Sequence, residues 1–224
     1  MMDRTQKLVI EVDPLRATVV LKQEILGVTS RKDICPEDLF RAIIHATNQV
    51  SFVPSGLLPR GCFSVELCES GAKQYCLLCQ QRYADITYHS TLYERFPLPK
   101  LVFGFQISEQ GMVSSCRLGV VADEELKSST EMFYYPFSNV TQSTFHLCTG
   151  NNVLPVYKSP SGISNLPGYL LRLPNNDDYF SISNNKLKLE YRDLLEHLKD
   201  KDPSYYYSDV LIPNGKTLKD FIGG

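Results

Sequence analysis

The chain has 224 residues, 43% of them hydrophobic and 21% charged, and its net charge is -2. Such a length holds one generous core or a domain with an added layer, and the composition excludes disordered and fibrous classes. The near-neutral balance lacks the cationic excess that neutralising a run of phosphates requires, which argues against a nucleic-acid partner.

Leu8-Val9-Ile10-Glu11-Val12 and Ala17-Thr18-Val19-Val20-Leu21 are β-branched runs separated by Asp13-Pro14-Leu15-Arg16, and they predict a β-hairpin. Cys35-Pro36-Glu37-Asp38 then opens a segment whose apolar positions Leu39, Ile43, Ala46 and Val50 recur every three or four residues. Proline in the first turn and acids near the positive end of the dipole predict a helix over about 36–50. The Pro- and Gly-rich stretch from Pro54 to Gly61 breaks regular structure, so the domain boundary is placed between an N-terminal layer, 1–56, and a main domain, 57–224.

Strands are expected over 63–68, 74–80, 85–93, 101–107 and 112–121, with Ser108-Glu109-Gln110-Gly111 as the tight turn joining the last two. Short connections make this an antiparallel meander. From Pro136 to about Asn185 the chain is irregular and rich in Asn, Ser, Gly and Pro, a composition of functional loops with short hidden elements. Leu187 to Lys199 predicts an amphipathic helix with Leu187, Tyr191, Leu194, Leu195 and Leu198 along one side. The fold class is therefore α+β, an antiparallel meander with flanking helices plus an N-terminal hairpin and helix. The longest apolar runs, such as Leu101 to Phe105, fall far short of the roughly 20 residues that span a bilayer. The start Met1-Met2-Asp3-Arg4 lacks the apolar core of a signal peptide, so the expected location is cytoplasmic, away from membrane.

Seven cysteines in a chain of this length read as reduced thiols. Cys76-Leu77-Leu78-Cys79 has the spacing of a zinc or redox site, but no second pair follows at zinc-ribbon distance, and structural cysteines with no metal are expected. Cys148, beside Thr149-Gly150-Asn151-Asn152, reads either as an exposed thiol able to act as nucleophile or as a small buried residue ending a strand. Asn139, nine positions earlier, is either an amide donor flanking that thiol or the maker of a local Asx-turn. His146 lies two residues before Cys148, so in an extended strand the two share a face, as neighbour or as base. Asp177-Asp178, Asp200 and Asp202 read either as acids that set the charge of a site or as solvated turn residues. Tyr205-Tyr206-Tyr207 reads as a docking patch or as a strand packed on the last helix, and Ile222-Gly223-Gly224 as a flexible end.

The passage Pro136-Phe137-Ser138-Asn139-Val140, with His146-Leu147-Cys148-Thr149-Gly150-Asn151 and Leu154-Pro155, resembles the active segment of ubiquitin-conjugating (UBC) enzymes, in which a His-Pro-Asn tripeptide precedes a catalytic cysteine. More closely it is similar to the protein B family of the bacterial PRTRC mobile-element cassettes. Pro97-Leu98-Pro99-Lys100-Leu101-Val102-Phe103, Phe133-Tyr134-Tyr135 and Gly215-Lys216-Thr217-Leu218 carry that likeness too, over most of the chain from Leu57 to Phe221. The chain departs from the UBC pattern at Phe137-Ser138, where His-Pro stands in that family, and at Thr149 in place of the usual leucine. The resemblance implies a UBC-like fold and a carrier whose Cys148 holds a ubiquitin-like protein as a thioester, with Asn139 stabilising the oxyanion of transfer and no cofactor of its own. The implied partners are a ThiF-like activating enzyme and a ubiquitin-like protein. The alternative is a non-catalytic UBC-like binding or scaffold module of the same cassette.

Overall fold

The computed structural model of the protein describes residues 7–13, 15, 18–25, 28–46, 55–68 and 71–223. The chain divides into two compact units, Met1–Pro54 and Ser55–Gly224, and its class is α+β with predominantly antiparallel sheets.

In the first unit β1 (Lys7–Asp13), β2 (Thr18–Ile25) and β3 (Val28–Ile34) form an antiparallel sheet in chain order, followed by α1 (Pro36–Ala46). β1 and β2 are the expected hairpin, in register from Lys7 opposite Glu24 to Asp13 opposite Thr18. The third strand was not expected. Val28-Thr29-Ser30-Arg31-Lys32-Asp33-Ile34 has aliphatic residues only at its ends, so it carries no period-two signal. α1 starts where Pro36, Glu37 and Asp38 place it; the rest of the predicted helix, 47–50, lies outside the described residues.

The second unit is built on β4 (Cys62–Leu67), β5 (Lys73–Leu78), β6 (Tyr83–Tyr88), β7 (Thr91–Pro97), β8 (Lys100–Ile107) and β9 (Val113–Val121). β4, β5, β8 and β9 are antiparallel neighbours in that order, whereas β6 and β7 form a separate hairpin inserted between β5 and β8. The single strand expected over 85–93 is thus two strands folded back at His89-Ser90. His89 takes the left-handed conformation (φ 50°) that such a turn needs, and no Gly, Asn or Asp marks the position in the sequence. The Ser108–Gly111 turn is as expected: Gly111 N–H donates to Ser108 O (2.9 Å) at φ 85°. A Cβ at Gly111 would stand 2.0 Å from Tyr157 O, so only glycine fits there.

β8 is buried on both faces. Leu101, Phe103, Phe105 and Ile107 enter the main core, while Val102 joins a second cluster with Cys76, Val121, Met132, Phe145, Leu218 and Phe221. That explains its unbroken apolar run, the signature of a strand covered on both sides. After β9 come β10 (Glu131–Phe133), β11 (Val140–Thr141), β12 (His146–Leu147), a 3₁₀ turn (Pro160–Asn165) and α2 (Leu166–Leu171). α3 (Tyr191–Leu198) is shorter than the helix predicted over 187–199 because Lys188 sits at φ 55°, a left-handed residue that no helix passes through. Its buried side is nonetheless the expected one: Tyr191, Leu194, Leu195 and Leu198.

Tyr205-Tyr206-Tyr207 is neither an exposed patch nor a strand. Tyr206–Val210 forms one π-helical turn, and Tyr206 is wholly buried, its hydroxyl donating to Pro97 O (2.8 Å). The chain closes with β13 (Pro213–Thr217), paired with β10, and α4 (Leu218–Ile222), which starts with a Thr217/Asp220 capping box. The end expected to be flexible is docked as far as Ile222: Phe221 is fully buried, and Ile222 O accepts hydrogen bonds from Gln74 Nε2 and Arg117 Nη2. Among the described residues no helix is long and apolar enough to cross a membrane.

Candidate functional site

The free edge of β9 is shared by two partners. His146 of β12 pairs with Arg117 in its middle, and Met132 and Phe133 of β10 pair with Val121 and Val120 at its end. Between β10 and β11 the chain leaves the sheet, and this excursion carries Pro136-Phe137-Ser138-Asn139. Phe137 anchors it. That ring is buried against Phe96, Tyr135, Tyr191 and Tyr206 at centroid distances of 5.7, 5.3, 6.3 and 6.2 Å.

The nine-residue spacing of Asn139 and Cys148 has a simple structural origin. β11 and β12 are a hairpin with Val140 opposite Leu147 and Thr141 opposite His146, so the next rung puts Asn139 opposite Cys148. Cys148 N–H donates to Asn139 O at 2.8 Å. The structure therefore brings these two together, with Cys148 partly exposed and Asn139 in the left-handed region (φ 64°), a conformation asparagine tolerates better than most residues.

His146 does not join them. It shares the Arg117 face of the sheet and lines a recess there with Gln74, Gln106, Ser115, Arg117 and Thr144. Cys148 instead lines a small cavity on the other face with Leu147 and Asn139. The shared face expected from extended spacing is lost because β12 ends at Leu147, so alternation does not carry through to the cysteine.

The cavity beside Cys148 and Asn139 measures about 30 Å³, room for a water molecule or two. The recess is solvent-sized, and Cys148 also keeps exposed surface of its own. One wall is polar. Ser138 Oγ, with no exposed surface, lies 3.3 Å from Asn175 Oδ1 and 3.2 Å from Tyr191 Oη. Burial pushes the Tyr191 hydroxyl up to about 12, so it remains protonated at neutral pH.

Asn175 holds this wall in place. Its side-chain amide donates to Thr87 O and Leu173 O (3.3 Å each), its N–H donates to Thr87 O (2.7 Å), and its Oδ1 accepts from Asn139 Nδ2 (3.4 Å). Asn139 Nδ2 also donates to Pro174 O at 3.4 Å, and Asn139 N–H to Asp178 O at 2.8 Å. Both side-chain contacts of Asn139 are long for N–H···O bonds, so releasing the amide from them costs little. Asn175 and Tyr191 lie too far along the sequence for spacing to connect them to Asn139. The signal that existed was the Asn-rich, irregular composition of 174–178.

Next to this wall, Tyr88 Oη donates to Asp177 Oδ1 (2.6 Å) and His89 Nε2 lies 3.2 Å from Oδ2. The Tyr88 hydrogen bond, and after it that of His89, hold the Asp177 carboxyl below the usual carboxylate range. A depressed native value contributes stability above the unfolded pKa of about 3.9, which is lost as pH falls through the native one. Thermal melts should accordingly show the gap between wild type and Asp177→Asn narrowing below about pH 4; a gap of constant size down to pH 3 would refute the linkage. Asp177 is exposed, so the gap is small. The other sequence-noted acids, Asp178, Asp200 and Asp202, are exposed, as solvated turn residues are.

Cys76 and Cys79 are both buried but on opposite faces of the sheet, Cys76 in the second cluster and Cys79 in the main core. Cys76 lies in β5 and Cys79 just past its end, and their burial in separate clusters keeps them from sharing one metal or one disulfide. Among the described residues no His, Cys, Asp and Glu side chains cluster as a metal site. No family model, no curated protein and no solved structure matches this chain.

Proposed function

We propose that the protein is a UBC-like carrier, in which Cys148 accepts the C-terminus of a ubiquitin-like protein from a ThiF-like activating enzyme and passes it to an amine. The observation that carries this reading is the rung joining a partly exposed Cys148 to Asn139. It joins the backbones of the residues that carry the thiol and the carboxamide, and both residues line the same small cavity. The Cys148 thiolate attacks the thioester of the activating enzyme, whose own thiol leaves, and the new thioester faces solvent for attack by an amine. Asn139, held by two long contacts, swings its amide to the oxyanion of that second step, the form of stabilisation that dominates acyl transfer.

The test is incubation with the activating enzyme and ubiquitin-like protein of a PRTRC cassette and ATP, followed by intact-mass measurement. The expected result is an adduct of one ubiquitin-like protein that thiol reductant removes and that Cys148→Ala abolishes. An unchanged mass, or an adduct that survives Cys148→Ala, overturns the assignment.

A second reading is favoured by one observation, that both amide protons of Asn139 already have acceptors on 174–175. In that reading the chain is a non-catalytic UBC-like module that binds the ubiquitin-like protein, and Cys148→Ala leaves the binding affinity unchanged while no adduct forms in either form of the protein.

A further inference from the structure

We propose that the first unit is a self-association module, in which β1 pairs antiparallel with β1 of a second copy about a twofold axis at Ile10. Among the described side chains of this unit Val19 is the one that is buried, while Leu8, Ile10 and Val12 of β1 are 60%, 41% and 62% exposed. Alternation puts these three on one face, beside Gln23, Leu21 and Val19 of β2. A three-stranded sheet that closes one side chain among the described residues gains stability by being extended.

The two edges of that sheet differ. β3 presents Arg31, Lys32 and Asp33 along its length, and a twofold pairing centred on it sets two arginines opposite each other, which is how edge strands are kept single. β1 pairs only with β2 among the described residues, and its sequence Lys7-Leu8-Val9-Ile10-Glu11-Val12-Asp13 is self-complementary. A twofold at Ile10 sets Leu8 opposite Val12 and the lysine position 7 opposite the aspartate position 13 at both ends. Glu11, which falls opposite Val9, keeps Lys22 of its own chain as ion-pair partner. The product is one six-stranded sheet, with Leu8, Ile10 and Val12 of each copy flanking those of the other. This is an isologous contact, closed by a single axis.

Sedimentation equilibrium on the full chain tests it. Wild type is expected to be a dimer and Ile10→Lys a monomer, because the substitution sets two lysines opposite each other on the axis. Asp13→Lys should weaken the dimer by roughly tenfold or more, and the exchange Lys7→Asp with Asp13→Lys should restore it. Should Ile10→Lys lose the circular dichroism of the first unit, the charge exchange decides alone. A monomeric wild type overturns the proposal, as does a dimer indifferent to Ile10→Lys and Asp13→Lys, or an Asp13→Lys defect that the exchange does not repair.

Discussion

Under native conditions Cys148 is expected to alkylate at least a hundredfold faster than Cys76 or Cys116. The two slow thiols are 1% and 2% exposed, and burial pushes each up to about 12. At pH 8 a thiol of that pKa is about one part in ten thousand thiolate, and the thiolate is the nucleophile. Cys76 and Cys116 then react only when the sheet opens, and they are paired into its central strands, where opening demands close to global unfolding. Cys148 lies beyond the end of a two-residue strand and keeps contact with solvent. Cys35, exposed in the first unit, should label early and serves as an internal reference. A time course with iodoacetamide, read by peptide mass mapping, gives the order directly. If Cys148 is modified as slowly as Cys116, its sulfur is closed to solution, and the carrier reading gives way to the binding module.

How much of this was legible in the sequence depended on whether a signal was local. The Gly111 turn, the start of α1 at Pro36 and the buried side of α3 are written in short-range patterns, and the structure has them. The hairpin at His89-Ser90 was hidden because its left-handed residue is a histidine, so a run of strand formers reads as one strand. β3 was hidden because its exposed faces are charged on both sides. At the site, the spacing of Asn139 and Cys148 was visible, and the structure turns it into a hairpin rung. The same spacing logic misled at His146, since alternation holds only while a strand continues. Ser138, Asn175 and Tyr191 were not found as a group, because 36 residues separate Asn139 from Asn175 and only the folded chain closes that distance.

Phe137→Ala should lower the stability of the second unit by about 3–5 kcal/mol, the range for deleting a large buried aromatic side chain. Phe137 is 2% exposed and edge-on to Phe96, Tyr135 and Tyr206, so the truncation removes several ring contacts at once. The neighbouring groups cannot simply collapse into the space. Tyr206 is pinned by its hydroxyl to Pro97 O, and Tyr191 by its contact with Ser138. For a domain of this size the loss corresponds to a fall in Tm of roughly 6–20 °C, measurable by calorimetry. Phe137→Leu, which keeps most of the volume, should recover more than half of it. The consequence reaches the site because Phe137 is the anchor of the segment that holds Ser138 and Asn139. Once the ring is gone, the rung from Cys148 N–H to Asn139 O loses its support, and amide exchange at Cys148 should accelerate more than exchange in β8. A Phe137→Ala protein with unchanged Tm and unchanged exchange at Cys148 would show that the excursion is held by the hairpin alone, and that the aromatic cluster beneath it is packing without a positioning role.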